Sequence, residues 1–259
     1  MNDHSTRAIP PAPTTSAVWP VLFLVAVAGV CWAVTVERMQ GMDMGPGTDL
    51  GELGWFAVVW VTMMAAMMLP SLAPMAVACS RGAEGGGPAR TLTRTGVFAA
   101  GYLLMWAAFG VLAFALVEGV RSRDVGFLAW SRGGQYLAGG VILGAALYEL
   151  TTAKRTCLRQ CRDPRLLRRR PGLGGGLVMG VEQGGFCVGC SGALMAALFA
   201  LGVMSITWMG LIAGLVAIEK LLPSRLVATG ATAASLALLG AAIVLAPEHV
   251  PWLTIPASM

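Results

Sequence analysis

Seven long apolar segments, separated by short polar or basic stretches, dominate this sequence of 259 residues. They cover approximately residues 18–36, 54–79, 93–117, 134–150, 174–201, 204–221 and 226–246. Each segment is long enough, or nearly so, to cross a hydrocarbon core of about 30 Å. Because an open strand would leave its peptide groups unpaired in lipid, such segments must be helical. The sequence therefore predicts an all-α, polytopic transmembrane helix bundle with about seven spans.

The composition excludes a soluble globular domain of this length. Hydrophobic residues make up 56% of the chain and charged residues only 12%, which is too little charge to cover a soluble surface. We expect a disordered N-terminus over 1–17, a single transmembrane domain over 18–246 and a short external tail over 247–259. The net charge of +5 does not indicate a nucleic acid partner, because the basic residues lie between the spans, where they meet the head groups of a lipid bilayer.

The basic residues also predict an orientation. If the N-terminus is cytoplasmic, 14 of the 18 arginine and lysine residues lie inside, and only Arg38, Arg121, Arg123 and Arg132 lie outside. The positive-inside rule therefore favours a cytoplasmic N-terminus and an external C-terminus. Arginine, alanine and glycine are abundant and lysine is rare, which favours a bacterial inner membrane.

The sharpest chemical signal is the pair Cys187 and Cys190 in the fifth span, which lies within the glycine-rich stretch 184–192. Two thiols at this spacing converge within one helical turn and can bind a soft metal ion or form a disulfide. The surrounding glycines weaken the helix and let a ligand or another backbone approach closely. The alternative interpretation is that the two cysteines are simply small residues at a helix contact.

Upstream on the same span, Met179, Glu182 and Gln183 lie on or beside the helical face of the two cysteines. A glutamate within a span is costly and is usually functional. We therefore include Met179 and Glu182 among the candidate metal ligands. The alternative for Glu182 is a structural pairing with a nearby arginine or hydroxyl group.

The second span is rich in methionine, and its candidate thioether ligands are Met64, Met67 and Met68. Methionine is also an ordinary core residue, so packing is the alternative interpretation. Pro70 and Pro74 interrupt the hydrogen bonding of this helix within the membrane. We expect Pro70 and the glycine-rich part of the fifth span to line one cavity, which would suit the passage of a soft cation.

A second cysteine pair, Cys157 and Cys161, lies in a basic segment that we expect to be a cytoplasmic loop. On a helix, the two thiols would share a face and could chelate one ion, and the neighbouring arginines favour the thiolate form. Because Cys187 lies well into the next span, we expect two separate sites instead of one four-cysteine site. The alternative is a pair of surface thiols in a reducing compartment.

The other polar residues carry no recognisable catalytic motif. The chain has no phosphate-binding loop, no nucleophile elbow and no dinucleotide fingerprint, and its only histidines, His4 and His249, lie near the termini. Glu149 and Glu219 lie beside lysines near the ends of two spans, where we expect them to anchor the helices at the membrane interface.

Several short motifs follow one another along the chain, and their ordered set resembles that of a known bacterial family. The matching stretches are 60–71, 147–150, Lys154, Cys157, Cys161, Pro164, 185–190, 194–195, 202–204, 208–209 and 219–223. The chain is similar over roughly 55–223 to the predicted metal-binding integral membrane proteins known as domain of unknown function 2182. Many members carry a histidine where this chain has Gln183, and a cysteine and a tryptophan where it has Ser191 and Gly192. The resemblance implies metal handling.

Thiol and thioether ligands select Cu(I) over hard cations, so copper is the expected ion. The predicted function is the binding of Cu(I) and its transfer or delivery to a membrane metalloenzyme, with that enzyme or a metallochaperone as partner. One alternative is a membrane thiol–disulfide oxidoreductase, in which Cys187 and Cys190 exchange electrons with Cys157 and Cys161. A second alternative is a structural subunit of a larger membrane complex. The methionines near the cysteines favour copper, because a redox relay does not need thioethers.

Overall fold

The computed structural model describes residues 15–39, 51–80, 87–122, 133–168, 170–203, 205–222 and 224–246. These residues contain no strand, which confirms the predicted all-α fold. A short 3₁₀ turn, Pro164–Leu166, follows α5. The α-helices are α1 (Thr15–Met39), α2 (Leu53–Ser80), α3 (Pro88–Arg121), α4 (Gln135–Glu149), α5 (Thr152–Arg162), α6 (Gly172–Leu201), α7 (Ile206–Leu221) and α8 (Arg225–Leu245).

Each of the seven apolar segments corresponds to one helix, but not every helix is long enough to span a bilayer alone. Five helices are long and apolar enough by themselves, namely α1, α2, α3, α6 and α8. With 15 and 16 residues, α4 and α7 reach only about 22–24 Å, less than a core of about 30 Å. A sixth span is reached if α4 and α5, which meet at a bend of 68°, form one broken span. The predicted number of about seven is therefore approximate.

The segment predicted as a cytoplasmic loop forms the helix α5 instead. Its first turn is capped by the Thr151 hydroxyl, which accepts a hydrogen bond from the backbone N–H of Lys154 at 3.3 Å. Its buried residues, Lys154, Leu158 and Cys161, lie at helical spacing on one face, and Arg155 and Arg159 are exposed on the other side. Pro164 follows directly and ends the helix. Hydropathy missed α5 because the helix is short and amphipathic.

Helix α6 packs against α3, α4 and α5, and its contact with α3 is unusually close. A Cβ atom added to Gly180 would clash with the Phe98 carbonyl oxygen, and one added to Gly184 would lie 2.9 Å from the Tyr102 carbonyl oxygen. The two glycines are four residues apart, so they lie on one face and let the two backbones touch. The glycines of α6 therefore serve helix packing, which fixes the position of α3 side chains relative to α6.

Helix α2 continues through both of its prolines as a single helix from Leu53 to Ser80. Pro70 and Pro74 are exposed on its outer side, whereas its five methionines are buried. The expectation that Pro70 lines an interior cavity with the glycines of α6 is therefore wrong. A proline ring removes one backbone donor and crowds the preceding turn, and the exposed face leaves room for it.

Candidate metal centre

Three cysteine thiols converge in the interior of the bundle. The sulfur atoms of Cys161, Cys187 and Cys190 all lie within 4.8 Å of one another, and all three side chains are buried. Cys187 and Cys190 come from adjacent turns of α6, and Cys161 comes from α5. In the part of the chain that the structure describes, no other histidine, cysteine or carboxylate side chains form such a group of three. We refer to these three residues as the cysteine cluster.

Cys161 joins the cluster because α5 lies against α6. The side-chain amide of Gln183 donates a hydrogen bond to the Cys161 carbonyl oxygen at 3.3 Å, and its nitrogen lies 3.7 Å from the Cys161 sulfur. The expectation of two separate cysteine sites is therefore wrong for Cys161. It assumed that the polar segment stays away from α6, whereas the buried face of α5 brings Cys161 to the Cys187–Cys190 turn.

The phenol of Tyr102, on α3, contacts the cluster directly. Its hydroxyl group donates a hydrogen bond to the Cys187 sulfur at 2.9 Å, and the side chain is almost completely buried. The close packing of α3 on Gly180 and Gly184 brings this residue within reach. Sequence reasoning missed Tyr102, because one tyrosine in an apolar segment carries no local signal.

Lys220, near the end of α7, supplies a positive charge to the cluster. Its ammonium group donates to the Cys187 sulfur at 3.1 Å, to the Ser71 hydroxyl at 3.0 Å and to the Met68 sulfur at 3.6 Å. A cation beside a thiol favours the thiolate, which is the form that binds a metal ion. The structure thus brings one predicted residue of α2, Met68, to the site through Lys220.

A second buried group lies beside the cysteine cluster. The ammonium of Lys154 contacts a carboxylate oxygen of Glu149 at 2.6 Å and one of Glu219 at 2.8 Å, and the three side chains are at most 1% exposed. We call Glu149, Lys154 and Glu219 the ion triad. The expectation that the two glutamates are interfacial anchors is wrong, because both are buried and paired with Lys154.

Residues that neighbour the triad in the sequence contact the turn of α6 that carries the cluster cysteines. Tyr148, which precedes Glu149, donates a hydrogen bond at 2.6 Å to the carbonyl oxygen of Gly189, between the two cysteines of α6. Lys220 follows Glu219 on α7. Lys154 lies two turns before Cys161 on α5. Helices α4, α5 and α7 therefore each carry a member of the triad together with a member or a direct neighbour of the cluster. The chain has only two lysines, of which Lys154 belongs to the triad and Lys220 contacts Cys187.

The two other candidate ligands on α6, Met179 and Glu182, both contact Arg170. The backbone N–H of Arg170 donates to the Met179 sulfur at 3.3 Å, and its guanidinium forms an ion pair of 2.6 Å with Glu182. Along the helix axis, Met179 lies about 12 Å and Glu182 about 7.5 Å before Cys187. The arginine pairing that we considered for Glu182 is thus the arrangement found.

The remaining candidates are two methionines and one cysteine. Met64 and Met67 are buried in the hydrophobic core, with 0% and 7% of their surface exposed, as packing residues are. Cys157 is half-buried on α5, one turn before Cys161. Its sulfur touches α6 at Gly189, where an added Cβ atom would lie 2.7 Å from it.

Comparison with protein families gives one match. Residues 57–243 match the family model PpoB2, which is described as copper chaperone. The matched region contains the whole cysteine cluster, the ion triad, Tyr102 and Lys220. No curated protein and no solved structure matches the chain.

Proposed function

Because this chain belongs to the PpoB2 copper chaperone family, we propose that it is an integral membrane protein that binds Cu(I) and delivers it to a membrane metalloenzyme. The ion is held by the cysteine cluster. The observation that carries this proposal is the convergence of three buried sulfur atoms within 4.8 Å. Three thiolates are soft ligands of the kind that Cu(I) prefers.

The number of ligands favours Cu(I) over Zn(II), which also binds thiolates. Structural zinc sites are almost always four-coordinate, with cysteine, histidine or carboxylate ligands. Among the described residues, the cluster offers three such ligands. The Cys187 sulfur is also contacted by the ammonium of Lys220 and the hydroxyl of Tyr102. An ammonium group repels a divalent cation more strongly than a monovalent one.

The surroundings of Cys187 also suit the charge of a copper–thiolate complex. Three thiolates and one Cu(I) carry a net charge of −2, which is costly to bury without compensation. Lys220 supplies one positive charge and Tyr102 supplies a hydrogen bond. Hydrogen bonds to a charged group are roughly twice as strong as neutral ones. Both groups are therefore in place to stabilise the loaded site.

The oxidoreductase alternative has less support. In redox-active cysteine pairs, the reactive thiol is commonly activated at a helix N-terminus. Cys187 instead lies fifteen residues after Gly172, the first residue of α6, so the helix terminus is about 22 Å away along the axis. This distance from the helix N-terminus favours a metal site.

We place the chain in a bacterial inner membrane with a cytoplasmic N-terminus and an external C-terminus. Helix α6 has 30 residues and is about 45 Å long, so it extends beyond a core of about 30 Å. Its first turns follow the arginine-rich segment 154–170 and carry the partly exposed ion pair of Arg170 and Glu182. Cys187 lies near the middle of α6, whereas Cys161 belongs to the segment that we place on the cytoplasmic side, from which a cytoplasmic metallochaperone could load the cluster.

The test is copper binding by the purified full chain under reducing conditions. We expect one Cu(I) per wild-type chain by elemental analysis, and loss of binding in Cys161→Ser and in the double variant Cys187→Ser/Cys190→Ser. Cys31→Ser, which alters a half-buried cysteine of α1, is the matched control and should keep the copper. Wild-type copper content in the double variant would disprove the proposed site. Redox cycling of the same thiols in a mobility-shift assay would then favour the oxidoreductase.

A further inference from the structure

Cys157 is the cysteine of α5 that remains outside the cluster, yet it contacts the same turn of α6. Its sulfur faces Gly189, which lies between Cys187 and Cys190 in the sequence. On α5 it lies one turn before Cys161, so the two side chains point in similar directions. A fourth thiol therefore stands beside the cluster without being part of it.

Exposure separates Cys157 from the three thiols of the cluster. Cys187 and Cys190 are 0% exposed and Cys161 is 8% exposed, so a copper donor in solution cannot contact the first two. Cys157 is half-buried, and it lies between the buried face of α5 and the exposed side that carries Arg155 and Arg159. Of the four thiols, it is the one that an external ligand reaches most easily.

Close contact with Gly189 places this thiol near the buried ones. A side chain at position 189 would collide with the Cys157 sulfur, because its Cβ atom would lie 2.7 Å away. The Gly189 carbonyl oxygen is held by the Tyr148 hydroxyl at 2.6 Å. The absence of a side chain at Gly189 thus lets an accessible thiol stand directly against the turn that carries the buried thiols.

We propose, on the basis of the copper-binding function above, that Cys157 is the transfer thiol through which Cu(I) enters and leaves the cysteine cluster. The external donor is a thiol-bound Cu(I) complex. In the first step, a bond forms between copper and the Cys157 sulfur while the bond to the donor sulfur breaks, and the Cys157 proton passes to the released donor thiolate. In the second step, bonds form between copper and the sulfur atoms of Cys161, Cys187 and Cys190 while the bond to Cys157 and any remaining donor bond break. The Cys157 thiolate takes up the Cys161 proton, and protons released from the other cluster thiols pass to a departing donor thiolate or to bulk water. Copper stays Cu(I) throughout, so no oxidant or reductant is needed.

A transfer thiol affects the rate of copper exchange more than the affinity, and this separates it from a ligand of the resident site. The full chain in detergent micelles is loaded from Cu(I)–glutathione, and copper is then withdrawn by a chromogenic Cu(I) chelator. For Cys157→Ser we expect wild-type stoichiometry and equilibrium affinity, but transfer in both directions slowed by about tenfold or more, because thiol exchange depends on access. Cys31→Ser, also half-buried, should exchange copper at the wild-type rate.

A second variant tests the same role without removing a thiol. In Gly189→Ala the new methyl group displaces the Cys157 sulfur, and we expect slower exchange with copper still bound. Wild-type exchange rates in Cys157→Ser would overturn the transfer role. Loss of copper stoichiometry in Cys157→Ser would also overturn it, because Cys157 would then be a ligand of the resident ion. If the wild-type chain binds no Cu(I), the proposed function itself fails, and this result differs from both of the others.

Discussion

The Nζ atom of Lys220 lies 3.1 Å from the Sγ atom of Cys187, so a cation from α7 is part of the environment of a thiol on α6. The same ammonium contacts Ser71 and Met68 of α2. Residues of α2, α6 and α7 therefore meet at one charge. The packing of these helices thus places a positive charge beside a cluster thiol, and substitution of Lys220 tests its effect on copper binding.

Replacing Lys220 by leucine should weaken copper binding. The variant removes a charged hydrogen bond to Cys187, and such bonds contribute about 1.5–3 kcal/mol, which corresponds to about ten- to a hundredfold in the dissociation constant. Leucine adds no thioether that could bind copper in its place. Competition with a Cu(I) chelator measures the change, and Lys220→Arg, which keeps the charge, should retain more of the affinity. Equal affinities for Lys220→Leu and the wild type would show that the charge is unimportant.

Removing Lys154 should destabilise the whole bundle. Lys154→Met leaves Glu149 and Glu219 buried without their cation, and breaking a buried ion pair costs about 3–5 kcal/mol. The free energy of unfolding in micelles measures the loss. The control is Arg155→Met, on the exposed side of the same helix, which should change stability by less than about 0.5 kcal/mol. Similar stabilities for the two variants would contradict the structural role of the triad.

Alanine at Gly180 should separate α3 from α6. The added methyl group meets the backbone at Phe98, and overpacking of this kind costs about 1–3 kcal/mol. Gly174→Ala is the control on the same helix, since a Cβ atom there meets nothing within 4 Å. Thermal unfolding should show a lower midpoint for Gly180→Ala only. If both variants unfold like the wild type, the two helices are not packed as closely as described.

Histidine at position 183 should add a fourth ligand to the cluster. The Gln183 amide nitrogen already lies 3.7 Å from the Cys161 sulfur, so an imidazole at this position can approach the same ion. Three thiolates and one imidazole form a common zinc site, and we expect Gln183→His to retain Zn(II) where the wild type does not. Elemental analysis after incubation with zinc measures this gain. Gln183→Leu serves as the control, and a Gln183→His variant without zinc would refute the assignment of this position.

The helices that are long and apolar enough to cross a membrane could be predicted from the sequence, because long apolar runs mark them. The fifth apolar segment was predicted at 174–201, and α6 spans Gly172–Leu201. Helix α5 could not be found in this way, since its polar side gives it no apolar run. Its position against α6 depends on tertiary packing, and so does the place of Cys161.

The part of the candidate site that could be predicted from the sequence is the part whose residues lie close together in the chain. The spacing of Cys187 and Cys190 revealed that pair, because one helical turn brings the two thiols together. Tyr102 and Lys220 reach Cys187 from other helices, and no local pattern shows such contacts. Met179 lies on the helix face of the cysteines and Glu182 beside it, but both contact Arg170.

Glu219 and Lys220 are consecutive on α7, yet one contacts the ion triad and the other the cysteine cluster. Consecutive residues of a helix point about 100° apart, so α7 cannot rotate about its axis without weakening both contacts together. The ion triad and the cysteine cluster should therefore respond together. A substitution at a carboxylate of the triad should also change the surroundings of the Cys187 sulfur.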